Sequence, residues 1–464
     1  MACPPAKRND KSRSRLLRRF LCFCGLTLGS ALTLFAAPEE TPPASVPAQS
    51  VITLDNAYER VLETDQTIKT AYIEIQKAKL LPWSAIARVG PRVTGSAGYN
   101  NDSSSFGSAT SRRLDSEFAD VTYQQPLLDL TVFPAYHLGK LTTQANSLEH
   151  RFVTRETLFG VAKAYYEILK QQRLLAVNQE TFQLAQEQQK IAQVRYEVGE
   201  TTRLDATRAR VAVETARRTV IESNKAIDSA KTTLSHILNW GGTTDFEVVD
   251  PPSLAWEHEP FEAVWNRALE QREDYEVSEL AVKQDEARRD EVIAQYGPTV
   301  VGQISKQWDN PRVTGSSGSA SDWSAGVAVQ FPFFEGGQRE IDLVTANHQI
   351  DETKLNLEKV GKTIEEEVKN AWLQAQMLQR TLEALRAQVE AAEQNYQDVK
   401  AQYEAGAATS LDTLVALRDL NTARTDLSTQ IYDYQVALRD LRRASGEFQE
   451  DRIKTVSSIS HAKP

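Results

Sequence analysis

The sequence predicts a mostly α chain with β strands, built as duplicated strand–long-helix hairpins. Three observations carry this. Sequence motifs recur at one spacing. Two stretches of more than sixty residues lack a strong helix breaker. Between the helical stretches lie segments that alternate with period two.

The repeat is clearest in two turns. Residues 196–206 read YEVGETTRLDA and residues 403–413 read YEAGAATSLDT, with six of eleven positions identical. The offset of 207 residues recurs for Gly90-Pro91 and Gly297-Pro298, and for Val161-x-x-Ala164-Tyr165 and Val368-x-x-Ala371-Trp372. Pro126-Leu127-Leu128-Asp129 and Pro332-Phe333-Phe334-Glu335 follow at 206. A single spacing held across four unrelated motifs marks an internal duplication. It divides the chain into a first repeat, 51–250, and a second, 251–446, with a tail at 447–464.

The N-terminus reads as processing rather than fold. Residues 1–19 carry seven basic residues and one acid, and a largely apolar run follows from Phe20 to Phe35. That order predicts an export signal over 1–37. An uncleaved anchor is the alternative, but the run is short for one. Residues 38–50, rich in proline, read as a flexible lead-in. Losing the signal removes seven positive charges and one negative and takes the formal net charge from -10 to -16. Such an acidic chain argues against nucleic acid as a partner. All three cysteines, Cys3, Cys22 and Cys24, fall inside the signal. The exported part therefore has no disulfide and no thiolate chemistry.

Long helices are expected over 133–198 and 338–404. More than sixty residues at 1.5 Å each span about 100 Å, some three times the hydrocarbon core of a bilayer. Polar helices of that length must run through water. Shorter helices are expected over 52–88, 205–239, 262–296 and 412–445. Val213, Val220, Ile227 and Leu234 recur every seventh residue, with Ala216, Ser223, Ala230 and Ile237 three positions later. Leu420, Leu427, Tyr434 and Leu441 repeat that register, with Ala423, Gln430, Ala437 and Ala444. These are coiled-coil seams whose mostly small second position lets helices approach closely.

The strands come in two pairs. Trp323, Ala325, Val327, Val329 and Phe331 alternate with Ser324, Gly326, Ala328 and Gln330. Ala119, Val121 and Tyr123 alternate with Asp120, Thr122 and Gln124. Val93, Gly95 and Ala97 alternate likewise in the first strand of one pair, and Val300, Gly302 and Ile304 in that of the other. The Ser/Gly-rich stretches 100–116 and 309–322 are expected to be long loops between the strands. One apolar and one small, polar face is the pattern of a membrane barrel wall. Trp308, Trp323, Tyr123, Phe331, Phe333 and Phe334 fall near strand ends, where an aromatic belt sits. Four strands cannot close such a barrel, so several copies must share it. A periplasmic coiled-coil scaffold without a barrel would account for the heptads. It would not account for the two-faced strands.

The turns satisfy helix-capping rules. Gly199 and Gly406 suit a left-handed C-terminal position. Thr202 and Thr409 suit the next N-cap, with Asp205 and Asp412 three residues later. The six histidines, His137, His150, His236, His258, His348 and His461, show no chelating spacing, and there is no HExxH, P-loop or GxGxxG motif. No enzyme activity, metal or cofactor is expected.

With its duplicated Y-x-x-G-x-x-x-x-L-D turns and its P-[LF]-[LF]-[DE] strand exits at Pro126 and Pro332, the chain resembles the TolC-like outer-membrane efflux protein family over residues 51–446. The resemblance implies a homotrimer. Its twelve-stranded β-barrel, in outer-membrane lipid of a diderm bacterium, continues as an α-helical coiled-coil tunnel with most of its mass in the periplasm. It also implies a passive exit duct for small molecules or proteins, fed by an inner-membrane transporter and a periplasmic adaptor. The turns would form the periplasmic gate and adaptor-docking tip, comprising Tyr196, Gly199, Arg203, Leu204, Asp205, Tyr403, Gly406, Leu411 and Asp412. Asp412 matches a gate aspartate of the family, Asp205 its partner acid and Tyr403 a gate tyrosine. The chain departs from that pattern at Ala408, where a gate arginine stands, and at Val415, where a second aspartate stands. Arg203 is the candidate replacement cation.

Overall fold

The computed structural model describes residues 50–448 apart from 107–109, 243, 257, 314–315 and 318–319. The expected export signal, nearly all of the lead-in, and the tail beyond Phe448 lie outside the described residues. The order is β1 (Ser50–Ile52), α1 (Leu54–Thr64), α2 (Gln66–Ala78), α3 (Leu81–Ala87), β2 (Arg92–Phe106), β3 (Thr110–Leu128), α4 (Val132–Glu197) and α5 (Arg203–Ile237). The chain continues as β4 (Phe246–Val248), α6 (Phe261–Gln271), α7 (Glu273–Ala294), β5 (Thr299–Val313), β6 (Ser316–Ser317), β7 (Ala320–Gln330), α8 (Gln338–Glu404) and α9 (Ser410–Ala444). The duplication holds to the residue in several places. β2 and β5, α1 and α6, and α5 and α9 have both ends displaced by 207.

The long helices α4 and α8 run 66 and 67 residues. The expected helices over 52–88 and 262–296 are instead interrupted. Asp65 takes an extended conformation, and its carboxylate accepts from the N–H of Ile68 at 2.9 Å. A side-chain cap of this kind starts a new helix rather than continuing the old one. Arg272, 207 residues on, is also extended and is pinned by Asp274 at 2.6 Å and Glu367 at 2.8 Å. A further break precedes Pro82, which sits in the first turn of α3, where its missing N–H costs nothing.

The four long strands form one antiparallel sheet in the order β2-β3-β5-β7, with β6 pairing at the end of β5. The hairpin tips are not the expected loops. β2 and β3 stay paired up to Phe106 opposite Thr110, and β5 pairs with β3 as far as Val313 opposite Leu114. Ladder hydrogen bonds to a neighbour on each side of β3 satisfy its backbone, and this outweighs the weak strand preference of serine and glycine.

Two apolar cores sit midway along the helices, and the duplication maps one onto the other. The first gathers Ala57, Val61, Val161, Ile168 and Leu234. Its counterpart gathers Val264, Ala268, Val368, Ala375 and Leu441. The long helices are tied to their repeats by equivalent bonds. The Tyr165 hydroxyl lies 2.9 Å from the Ile52 carbonyl, and Trp372 Nε1 donates to the Glu259 carbonyl at 2.9 Å. Tyr165 also accepts from the Val249 N–H at 3.0 Å and so clamps the parallel β1–β4 pair, which the sequence did not suggest. Burial pushes its hydroxyl up to about 12, so it stays a neutral hydrogen-bonding group.

α4 packs on α7 and α9 of the second repeat as well as on α2 and α5 of its own. Ion pairs line this junction. Arg155 meets Glu273 at 2.6 Å with both side chains buried, Arg443 meets Glu156 at 3.0 Å, and Arg424 meets Glu180 at 2.6 Å. Removing Arg155 alone leaves the buried Glu273 carboxylate only the more distant Arg151, at 3.4 Å. Arg155→Met is expected to cost about 3–5 kcal/mol, and Arg155→Met with Glu273→Leu to recover most of it. Denaturation midpoints of the two variants check this. Equal losses in both would refute the ion-pair account.

Candidate channel wall and helical tips

The strand register sorts side chains into rows. Val93, Tyr123, Ile304 and Ala325 share one row on the apolar face, and Ala97, Ala119, Trp308 and Ser321 another. On the opposite face Thr94, Thr122, Ser305 and Ser324 align, followed by Ser96, Asp120, Gln307 and Asp322. The polar face is knitted by its own hydrogen bonds. Ser305 Oγ and Ser324 Oγ lie 2.6 Å apart, Ser96 bonds Asp120, and Gln307 donates to Asp309 at 2.9 Å. The apolar face carries fewer such bonds, Lys306 to Ser321 and Tyr123 to Gln125 among them, and stands exposed, with Trp323 at 71% and Val327 at 67%. An apolar face left open on one side and a hydrated one on the other can divide lipid from an aqueous passage.

Aromatic side chains gather where sheet passes into helices. Phe333 and Phe334 are 87% and 80% exposed, and the Phe331 and Phe333 rings meet at 4.9 Å. Trp83 and Phe133, which the strand pattern did not pick out, are exposed near the same junction. Both lie at helix starts, so no alternation flags them. Pro126 sits within β3 at a register shift, two residues before the strand ends. Pro332 lies just past β7, and its carbonyl accepts from Arg339 at 2.8 Å.

At the far ends of the helices the two turns are near copies. Gly199 and Gly406 both take φ +79°, a left-handed conformation that suits glycine. Thr202 and Thr409 cap α5 and α9 by accepting from the N–H of Asp205 at 3.2 Å and of Asp412 at 3.3 Å. The second turn completes a capping box, with the Thr409 N–H donating to Asp412 at 2.9 Å. In the first, Asp205 instead accepts from the Thr201 hydroxyl at 3.0 Å and faces Arg208 at 3.7 Å. The hydroxyls of Thr202 and Thr409 are the main reason both carboxyls titrate below their ordinary value.

Arg195 brings the two tips together. Its guanidinium donates to the carbonyls of Tyr403 at 2.6 Å and Glu404 at 2.7 Å, and it lies 4.7 Å from the Tyr403 ring centroid. It thus satisfies carbonyls at the C-terminus of α8, where a cation is favoured. Tyr403 is buried beneath it, while Tyr196, Leu204 and Leu411 are exposed. Arg203 is exposed and has no ion-pair partner among the described residues. Arg195 escapes the sequence reading because its partners are backbone carbonyls of the other repeat. Behind the tips Ala185, Val213, Tyr396, Ala416, Leu417 and Leu420 form a small core shared by α4, α5, α8 and α9.

An alanine at Gly406 has to hold a left-handed backbone, so Gly406→Ala is expected to destabilise the tip by about 1–2 kcal/mol. Thr409→Ala is expected to cost about 1 kcal/mol through the lost cap. Faster limited proteolysis at the turn reads both effects. Because the folded carboxyl values are lowered, the caps' contribution is complete above about pH 4 and is lost as pH falls through those lower values. Tip cleavage by an acid-tolerant protease, normalised to a flexible peptide, should stay level from about pH 7 to 5 and rise only in stronger acid.

The family model for outer membrane efflux protein matches residues 57–240 and 264–447. The outer membrane efflux protein BepC of Brucella suis is 23% identical over 64% of this chain and 65% of its own length. The proteases secretion protein PrtF of Dickeya chrysanthemi is 24% identical over 90% of this chain and 93% of its own. The crystal structure of the Campylobacter jejuni CmeC outer membrane channel superposes with a TM-score of 0.72 at 16% identity, covering 90% of this chain and 94% of that one. The duplicated fold, the two-faced sheet and a family match over both repeats agree: the chain belongs to the outer membrane efflux protein family, the outer-membrane channels of tripartite export systems.

Proposed function

We propose that three copies of this chain close a twelve-stranded barrel in the outer membrane, and that its helices continue as a tunnel through the periplasm. The observation that carries this reading is a seam that occurs once inside the chain and is left half-made at its surface. Within the chain, α4 packs on α7 through Leu148 and Leu280, both buried. The duplication maps them onto Leu355 of α8 and Ile73 of α2, which are 65% and 52% exposed. Two shallow grooves repeat the pattern. One, on α5, is lined by Arg210 and Glu214, and the other, on α8, by Leu373 and Met377. Their counterparts are Leu417 and Asn421 of α9, and Tyr166 and Lys170 of α4, along the seam where α4 and α9 pack. A neighbouring copy supplies the missing halves. β2 and β7, the unpartnered sheet edges, meet at the same boundary. Two copies would give eight strands, whose interior side chains just fill, whereas three leave an aqueous passage.

The assembled duct is passive and takes cargo from an inner-membrane transporter through a periplasmic adaptor. The named relatives, one an efflux protein and one a proteases secretion protein, support cargo that is either small molecules or protein. The repeats run over 51–250 and 251–446, behind an export signal at 1–37. Tyr196, Gly199, Arg203, Leu204, Asp205, Tyr403, Gly406, Leu411 and Asp412 form the inner gate, and exposed Leu204 and Leu411 offer the adaptor an apolar foothold.

The chain's cysteines all lie in residues 1–24, so a variant with Ile73→Cys and Leu355→Cys carries no other thiol after export. Oxidation is expected to give a covalent three-chain ladder on non-reducing gels, collapsing with reductant. Monomer alone would refute the ring. In planar bilayers, Arg195→Ala is expected to raise open-channel conductance by releasing Tyr403 and the end of α8. Arg203→Ala and Asp412→Ala test the remaining charges, and unchanged conductance in all three variants removes the charge-based gate.

A further inference from the structure

The apolar face of the sheet carries one feature that a lipid-facing wall does not need. Lys306 occupies the row of Gly95, Val121 and Trp323. It is the only cation on that face among the described side chains. Its ammonium lies 4.9 Å from the ring centroid of Trp323 and 5.7 Å from that of Trp308, and donates to Ser321 Oγ at 3.3 Å. It has no carboxylate partner among the described residues. Trp308 and Trp323 are both exposed, so the lysine is flanked rather than covered.

A charge beside hydrocarbon is unfavourable unless it reaches the interface or finds a counter-ion. The rings partly compensate this one. The ammonium keeps N–H donors beyond the one spent on Ser321, and each indole N–H adds another. With the positive charge these donors suit one anion. The site's level selects the ligand. Trp308 lies one row nearer the hairpin tips, at the sheet end away from the helices, so Lys306 sits toward the outer rim of the apolar band. A soluble anion does not reach a wall packed with acyl chains. A lipid headgroup does.

We propose that Lys306, Trp308, Trp323 and Ser321 form a binding site for the phosphate of an outer-leaflet lipid, one site per chain. The inference rests on the reading that this face meets the membrane. The site holds the lipid by its phosphate, with the tryptophan rings lying along the upper acyl chain.

The test uses the full-length assembly in zwitterionic nanodiscs doped with a phosphorylated glycolipid or with its dephosphorylated form. Native mass spectrometry counts the lipid retained after removal from the disc. Wild type and Lys306→Arg are expected to retain the phosphorylated form, and Lys306→Gln to retain at least tenfold less. Excess inorganic phosphate is expected not to displace it. Equal retention by wild type and Lys306→Gln overturns the site, as does equal retention of the dephosphorylated lipid. Displacement by inorganic phosphate overturns the assignment to a lipid. Heat-modifiable migration and conductance of the same preparations separate the two levels. A wild type that fails to insert overturns the membrane-wall reading with the site, whereas an inserted, conducting Lys306→Gln channel with unchanged lipid overturns the site alone.

Discussion

A sheet that meets hydrocarbon must leave no backbone N–H or C=O without a partner, and this chain supplies four strands with an open edge at each end. Everything else follows from that shortfall. One chain is only an arc of wall. The arc has a dry face and a wet face because the pleat sends alternate side chains to opposite sides. In the proposed barrel further copies close its ends, and the helices beneath them are then cut for contacts the single chain does not contain. The exposed leucine of α8, the exposed isoleucine of α2 and the two grooves on α5 and α8 are the surfaces that this proposal accounts for.

Duplication is the economical answer to building such a ring. A motif of two strands, a long helix and shorter returning helices is used twice, and the equivalences are close enough to compare residue by residue. Both long helices are anchored by an aromatic donor to the carbonyl just ahead of the repeat's first helix, through Tyr165 in one case and Trp372 in the other. Both turns use the same left-handed glycine and the same threonine cap. The copies diverge where they meet different neighbours. Arg195, at the end of α4, reaches across to the end of α8, but the equivalent position holds Gln402.

Much of this was legible in the sequence, because periodicity and repetition are local signals. The long helices, the heptad seams and the period-two faces could be read directly, and Leu234, Ile227 and Ala230 of the predicted seam are buried as expected. Other features were hidden for physical reasons. The break at Arg272 is stabilised by Asp274 nearby but also by Glu367, nearly a hundred residues away, so a window of sequence contains only part of its cause. The β1–β4 pair joins two three-residue segments across almost two hundred residues. The strands run through serine-rich tips because their neighbours hold them, not because their residues prefer it. At the tips the caps were legible, since Thr and Asp act on their own turn. Arg195 was not, since its partners are carbonyls, and carbonyls leave no mark on the sequence.

The ion pairs between the repeats carry a mechanical consequence. Arg155–Glu273, Arg443–Glu156 and Arg424–Glu180 bind the first repeat to the second inside each chain. The positions that correspond to them at the proposed boundary between copies are Lys362 with Gln66, His236 with Thr363, and Arg217 with Ala387, none of which joins opposite charges. The proposed ring of three such chains would be six repeats around but not sixfold in stiffness. Rigid joints would alternate with compliant ones, and a force that widens the tube would be taken up at three hinges rather than shared among six.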